Sequence, residues 1–276
     1  MCGGVFAALK TLEELVVSSS GQRLYVFREL VHNRFVTTGF EKQAVVFTEN
    51  IEEIPHGVTL VIGAHGVSPD VEASLRSRAS ICKDVTCPLV KKLHRIVSGL
   101  TPDDQLIIFG KAEHPEVQGV IGYSGTPQIH IISSPQEAQT LPHLSHPVFI
   151  TQTTVAYEDV EETLCILKKR YPTLRVSAGI CDASGKRQAA VVKLAQNVDA
   201  VLVIGSPHSS NTERLREIAE RSGVAAFLID SAAELTAQML DYSRIGITGG
   251  ASTPQFLFDE VITALEVQGF VNGKTL

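Results

Sequence analysis

The chain has 276 residues, 44% of them hydrophobic, and a formal net charge of −6. That length suits two or three small domains or one large one, and the apolar content excludes a disordered chain. The negative balance argues against a broad nucleic-acid surface, and no apolar run approaches the roughly 18 residues of a membrane span.

Strands are predicted at Leu24–Phe27, Ala44–Thr48, Leu60–Ala64, Gln105–Gly110, His130–Ser133, Val148–Thr151, Val201–Gly205, Ala226–Asp230 and Arg244–Thr248. Several are continuous apolar runs, as expected of strands covered on both faces. Helical spacing links Val5, Ala8, Leu9, Leu12, Leu15 and Val16. It recurs at Leu89, Val90, Leu93, Ile96 and Val97, behind Pro88 at a favoured first-turn position. Glu158–Arg170, Gln188–Gln196 and Glu213–Ser222 read as further helices. Pro127, Pro135, Pro142 and Pro147 read as turns. Alternating β and α units predict parallel sheets with helices outside. The pattern runs three times, which predicts α/β subdomains at 1–87, 88–180 and 181–276. The repetition lies in element order, not in residue identity.

Five cysteines at these spacings do not form a disulfide framework, and no basic stretch with a cleavable apolar segment opens the chain. A cytoplasmic protein is expected, in which cysteines serve metals or catalysis. Cys2, Cys87 and Cys181 each stand before a helical segment, 85 and 94 residues apart. A helix N-terminus stabilises a thiolate through free N–H groups and its positive dipole end. Three such thiolates meeting at one point hold an iron–sulfur cluster and leave one iron open to substrate. Cys82, in a short strand, and Cys165, within an amphipathic helix, read as structural.

Ligands of open parallel sheets bind beyond the carboxyl ends of the strands. Those ends carry His32, His65, His114 with Glu116, Thr153 with Thr154, Ser209-Ser210-Asn211 and Ser252. Imidazoles, hydroxyls, an amide and helix-start N–H groups suit an anion. Ser209-Ser210-Asn211 also suits a helix cap, which uses the same N–H groups.

Nine pieces occur in order: Cys2-Gly3-Gly4-Val5, Val31-His32-Asn33, Ala64-His65-Gly66-Val67-Ser68, Thr86-Cys87-Pro88-Leu89-Val90, His114-Pro115-Glu116-Val117, Thr151-Gln152-Thr153-Thr154, Ile180-Cys181, Ser209-Ser210-Asn211 and Gly250-Ala251-Ser252. With them the chain resembles the LytB/IspH family of 4-hydroxy-3-methylbut-2-enyl diphosphate reductases. The resemblance implies a trefoil of three similar α/β subdomains around a central [4Fe-4S] cluster. It implies reductive dehydroxylation of an allylic diphosphate to isopentenyl and dimethylallyl diphosphates, the last step of the methylerythritol phosphate route to isoprenoids. It makes Cys2, Cys87 and Cys181 the cluster ligands and Glu116 the proton donor, working with Thr153. It places His32, His65, His114, Thr153, Ser209, Ser210, Asn211 and Ser252 around the substrate. It also implies an external one-electron donor of ferredoxin or flavodoxin type. The competing readings are a non-catalytic iron–sulfur redox sensor, which needs no acid, and a zinc hydrolase with three thiolates.

Three features depart from the family pattern. Members usually carry a strand before the first cysteine, and here Met1 precedes Cys2 directly, so the first subdomain is expected to lack that strand. Asp182-Ala183-Ser184-Gly185-Lys186 follows Cys181 where a Tyr-Ala-Thr-Thr-Asn-like run is usual. Pro207-His208 replaces a Lys-Asn pair before Ser209.

Overall fold

The structure is a computed structural model and describes residues 1–19, 21–177 and 179–273. It contains three parallel sheets, each fed by helices. The first region runs α1 Gly3–Ser18, β1 Leu24–Phe27, α2 Arg34–Glu41, β2 Val45–Thr48, β3 Val58–Ile62, α3 Pro69–Arg78 and β4 Ala79–Asp84. The second runs α4 Pro88–Ser98, β5 Gln105–Phe109, α5 Pro115–Tyr123, β6 Ile129–Ile132, α6 Pro135–Thr140, β7 Pro147–Thr151, α7 Tyr157–Arg170 and β8 Arg175–Val176. The third runs α8 Asp182–Ala195, β9 Ala200–Ile204, α9 Ser210–Arg221, β10 Ala225–Ile229, α10 Ala237–Leu240, β11 Ile245–Gly249 and α11 Gln255–Val267. The strand orders are β2-β1-β3-β4, β6-β5-β7-β8 and β10-β9-β11. Every pairing is parallel.

In each sheet the first strand thus sits between the second and the third. The chain reverses its direction of travel there, and the crevice at the carboxyl ends of two adjacent strands opens for a ligand. The paired strands are β1 and β3, β5 and β7, β9 and β11.

The apolar runs follow from two-sided burial. In β5, Ile107 and Phe109 pack with Phe149, Val160, Leu167 and Tyr171. Leu106 and Ile108 face the other way, against Leu93 and Val97 of α4 and Val117 and Val120 of α5. In β9, Val201 and Val203 meet Val191, Leu215 and Ile218, while Leu202 and Ile204 meet Leu257, Val261 and Leu265 of α11. Fully burying one such side chain contributes about 1.5–3 kcal/mol, which is why both faces stay apolar.

Several local differences from the sequence reading have simple causes. Pro135 opens α6 instead of marking a turn, because Ser134 accepts from the Glu137 amide and caps the helix. Pro147 is the first residue of β7, a position that needs no ladder donor. Helix α8 starts at Asp182, six residues before the predicted Gln188, since its first turn lacks apolar periodicity. Strand β8 is two exposed residues and carries no pattern. Cys82 does lie in a short strand, β4. Burial pushes its thiol up, against the pull of Arg76, which disfavours a thiolate.

The chain packs as two compact units. One holds Gly3–Val31 and Thr37–Cys181, with the first two sheets; the other holds Met1–Cys2, His32–Val36 and Asp182–Leu276, with the third. No helix among the described residues is long and apolar enough to cross a membrane.

Candidate active site

In the larger unit, adjacent strands β5 and β7 bring an acid and a hydroxyl together. Glu116 lies in the first turn of α5, just after β5, and Thr153 lies two residues past β7. The Thr153 amide donates to Glu116 Oε1 at 2.7 Å and its hydroxyl to Oε2 at 2.8 Å. Glu116 is only 2% exposed. Burial pushes its carboxyl up to about 7, against the lowering effect of both Thr153 bonds. Near neutral pH the group therefore holds a proton that it can release.

His114 caps α5. Its Nδ1 accepts from the Glu116 amide at 3.1 Å, so the neutral ring carries its proton on Nε2. The His65 ring meets it edge to face, with centroids 5.4 Å apart. His65 is presented by a tight turn: the Gly66 amide donates to the Gly63 carbonyl, and Gly66 has φ +72°. A Cβ at Gly66 would lie 2.9 Å from Thr86 Cγ2, so both backbone and space require glycine.

This group continues to a cysteine at either end. The Cys87 amide donates to the Ala64 carbonyl at 2.9 Å, beside His65. The Cys181 amide donates to the Thr153 carbonyl at 3.3 Å, so Thr153 joins the acid to Cys181. Cys87 is the N-cap of α4, with Pro88 behind it. Its Sγ also faces the first turn of α1, where a Cβ on Gly4 would lie 3.0 Å away. Neither α1 nor α4 has an acidic residue in its first turn, so no carboxylate within either first turn offsets its positive end.

In the smaller unit, the turn after β11 handles two predicted residues at once. The Ala251 carbonyl accepts from the Cys2 amide at 3.2 Å, and the Ser252 hydroxyl donates to the His32 carbonyl at 3.2 Å. Asn33 Oδ1 then accepts from the Val36 amide and caps α2. After β9, Ser209 caps α9 through the Thr212 amide, and Ser210 is the first helical residue. Asn211 is buried, and its Nδ2 has no acceptor among the described residues. The Thr212 hydroxyl is likewise buried without a partner. Unmet donors at a helix N-terminus suit an anion.

Among residues given no role from sequence, Gln152 is the most engaged. It is buried; its Oε1 accepts from the Lys111 amide at 3.0 Å and its Nε2 donates to the Thr154 hydroxyl at 2.9 Å. It thereby ties the β5 loop to the β7 loop beside Glu116 and Thr153. Its signal was present, since it lies inside Thr151-Gln152-Thr153-Thr154.

The sheets and these two constellations define an α/β protein with polar side chains at strand-order reversals, a buried acid and cysteines outside any disulfide. The family model described as LytB protein matches residues 1–266, and the chain belongs to that family. It is 40% identical to the 4-hydroxy-3-methylbut-2-enyl diphosphate reductase of Methylococcus capsulatus, over 99% of this chain and 89% of that protein. It is also 40% identical to the same-named enzyme of Xylella fastidiosa, over 96% of this chain and 86% of that one. The solved structure of the E-1-hydroxy-2-methyl-but-2-enyl-4-diphosphate reductase from Plasmodium falciparum superposes with a TM-score of 0.89. Sequence identity there is 30%, covering 95% of this chain and 84% of that chain.

Proposed function

We propose that this protein is a 4-hydroxy-3-methylbut-2-enyl diphosphate reductase, the last enzyme of the methylerythritol phosphate route. The reaction adds two electrons and two protons to the allylic alcohol. It releases water and yields isopentenyl and dimethylallyl diphosphates. The observation that carries the residue assignment is the Glu116–Thr153 pair, whose threonine also holds the Cys181 amide. A redox sensor has no use for a buried acid of this kind, and the relatives are named as enzymes.

We assign Cys2, Cys87 and Cys181 as ligands of a [4Fe-4S] cluster in a chain of three subdomains, 1–87, 88–180 and 181–276. The residues suit the group: all three are cysteines outside any disulfide, and a side chain at Gly4 would crowd the Cys87 sulfur. When bound, such a cluster supplies single electrons and an iron open to the substrate oxygen. Glu116 keeps a proton at its carboxyl for the departing hydroxyl, and Thr153 fixes the direction of that carboxyl. His114 Nε2, with His32 and His65, offers donors to the anion. Ser209, Ser210, Asn211 and Ser252 are assigned to the diphosphate as well, Ser209 and Ser210 at the α9 N-terminus. We place the enzyme in the cytoplasm, with a ferredoxin- or flavodoxin-type donor.

The test is anaerobic preparation, iron and sulfide analysis, and turnover of the allylic diphosphate with a reduced viologen. Both products should form, and Cys87→Ser should lose the visible absorption. A cluster-loaded chain that leaves the substrate untouched overturns the activity; an unchanged spectrum in Cys87→Ser overturns the ligand assignment.

A further inference from the structure

Arg34 follows His32 and Asn33 in a segment that packs away from its neighbours in sequence. Residues His32–Val36 belong to the compact unit of the third sheet, although the chain on either side belongs to the other unit. Three contacts hold the segment there. The Ser252 hydroxyl bonds the His32 carbonyl. Phe35 packs into the core formed by Leu202, Ile204 and Leu257, and meets Phe256 edge to face at 6.2 Å. Arg34 Nε lies 2.6 Å from Asp230 Oδ2, and its Nη2 lies 3.4 Å from Glu234 Oε1. Glu234 closes the arrangement, because its Oε2 accepts from the Asp230 amide at 2.8 Å.

The placement of Asp230 is informative. It directly follows β10, which pairs with β9, and β9 leads to Ser209-Ser210-Asn211. Its side chain is 8% exposed, yet its ion-pair partner is 59% exposed, and its Oδ1 is buried without a partner. A carboxylate buried this way is a poor source of stability: an apolar residue of similar size would avoid the desolvation cost. What the pair does supply is a fixed direction and distance for the residues joined to Arg34.

We infer that Arg34, clamped by Asp230 and Glu234, is a positioning residue that sets the place of His32 at the diphosphate site. The inference rests on the reading of His32 as a substrate-site residue. It predicts that the clamp controls substrate affinity and leaves the cluster and the chemical step alone.

The test compares Arg34→Ala, Asp230→Ala, the double variant and Arg34→Lys in cluster-loaded protein. Each alanine variant should raise KM roughly tenfold with kcat within about twofold and the visible spectrum unchanged. The double variant should be no worse than Arg34→Ala, and Arg34→Lys should recover most of the affinity. A second measurement needs no turnover: amide hydrogen exchange across residues 32–36 of the loaded protein should quicken in Asp230→Ala. Unchanged KM with a lowered melting temperature overturns the inference, as do single effects that multiply in the double variant. Unchanged exchange overturns it too, even if wild-type protein proves inert and the enzymatic reading itself fails.

Discussion

Replacing Glu116 by glutamine preserves shape and removes the transferable proton. In the wild type, burial lifts the carboxyl from its ordinary 4.5 to about 7, with the Thr153 hydroxyl and amide opposing. That corresponds to about 3 kcal/mol of disfavoured ionisation at ~1.4 kcal/mol per pH unit. An acid must be protonated to act, so wild-type turnover should hold below about pH 7 and fall roughly tenfold per pH unit above it. Glu116→Gln should be about 10²–10⁴-fold slower and should lack that falling limb. Stability supplies an independent reading. The folded value lies above the unfolded one, so the wild type is unpenalised below 4.5 and loses stability as pH rises to about 7. The glutamine variant escapes that loss and should gain at most about 3 kcal/mol on wild type between about pH 4 and pH 8. Initial rates with a reduced viologen from about pH 5.5 to 9 test the first expectation, and urea unfolding at the two pH extremes tests the second. A falling limb that persists in Glu116→Gln, or a stability difference independent of pH, would refute the reasoning.

Two further substitutions probe the surroundings. Gly4→Ala improves helix propensity by about 1 kcal/mol, yet places a methyl 3.0 Å from Cys87 Sγ. It should leave the melting temperature intact and shorten iron retention under a chelator roughly tenfold; equal retention would separate Gly4 from the metal centre. Asn211→Ala removes a buried donor that has no acceptor among the described residues. Unfolding should shift by less than about 1 kcal/mol while KM for the diphosphate rises roughly tenfold, and an unmoved KM would take Asn211 out of the pocket.

The sheets were legible because their central strands are sandwiched. Val201 to Ile204 must be apolar at every position, a pattern that needs no partner information to read. Strand β8 and helix α6 were not legible, since Arg175–Val176 is exposed and α6 depends on a cap at Ser134 rather than on an apolar stripe. The candidate residues were legible one by one, because a polar group after an apolar run marks a strand's carboxyl end. Which of them touch was not. That Thr153 meets Glu116 follows from β5 lying beside β7, a pairing fixed by topology. The Arg34 clamp joins residues 196 or more positions apart and left no local trace at all.

The turn between β11 and α11 has a further consequence. Two neighbouring residues there, Ala251 and Ser252, hold the chain's first cysteine by its amide and the His32 carbonyl. Adding or deleting one residue would throw both out of register together. Its length, far more than its composition, is therefore what descent must keep, and what any engineer grafting loops onto this scaffold has to leave alone.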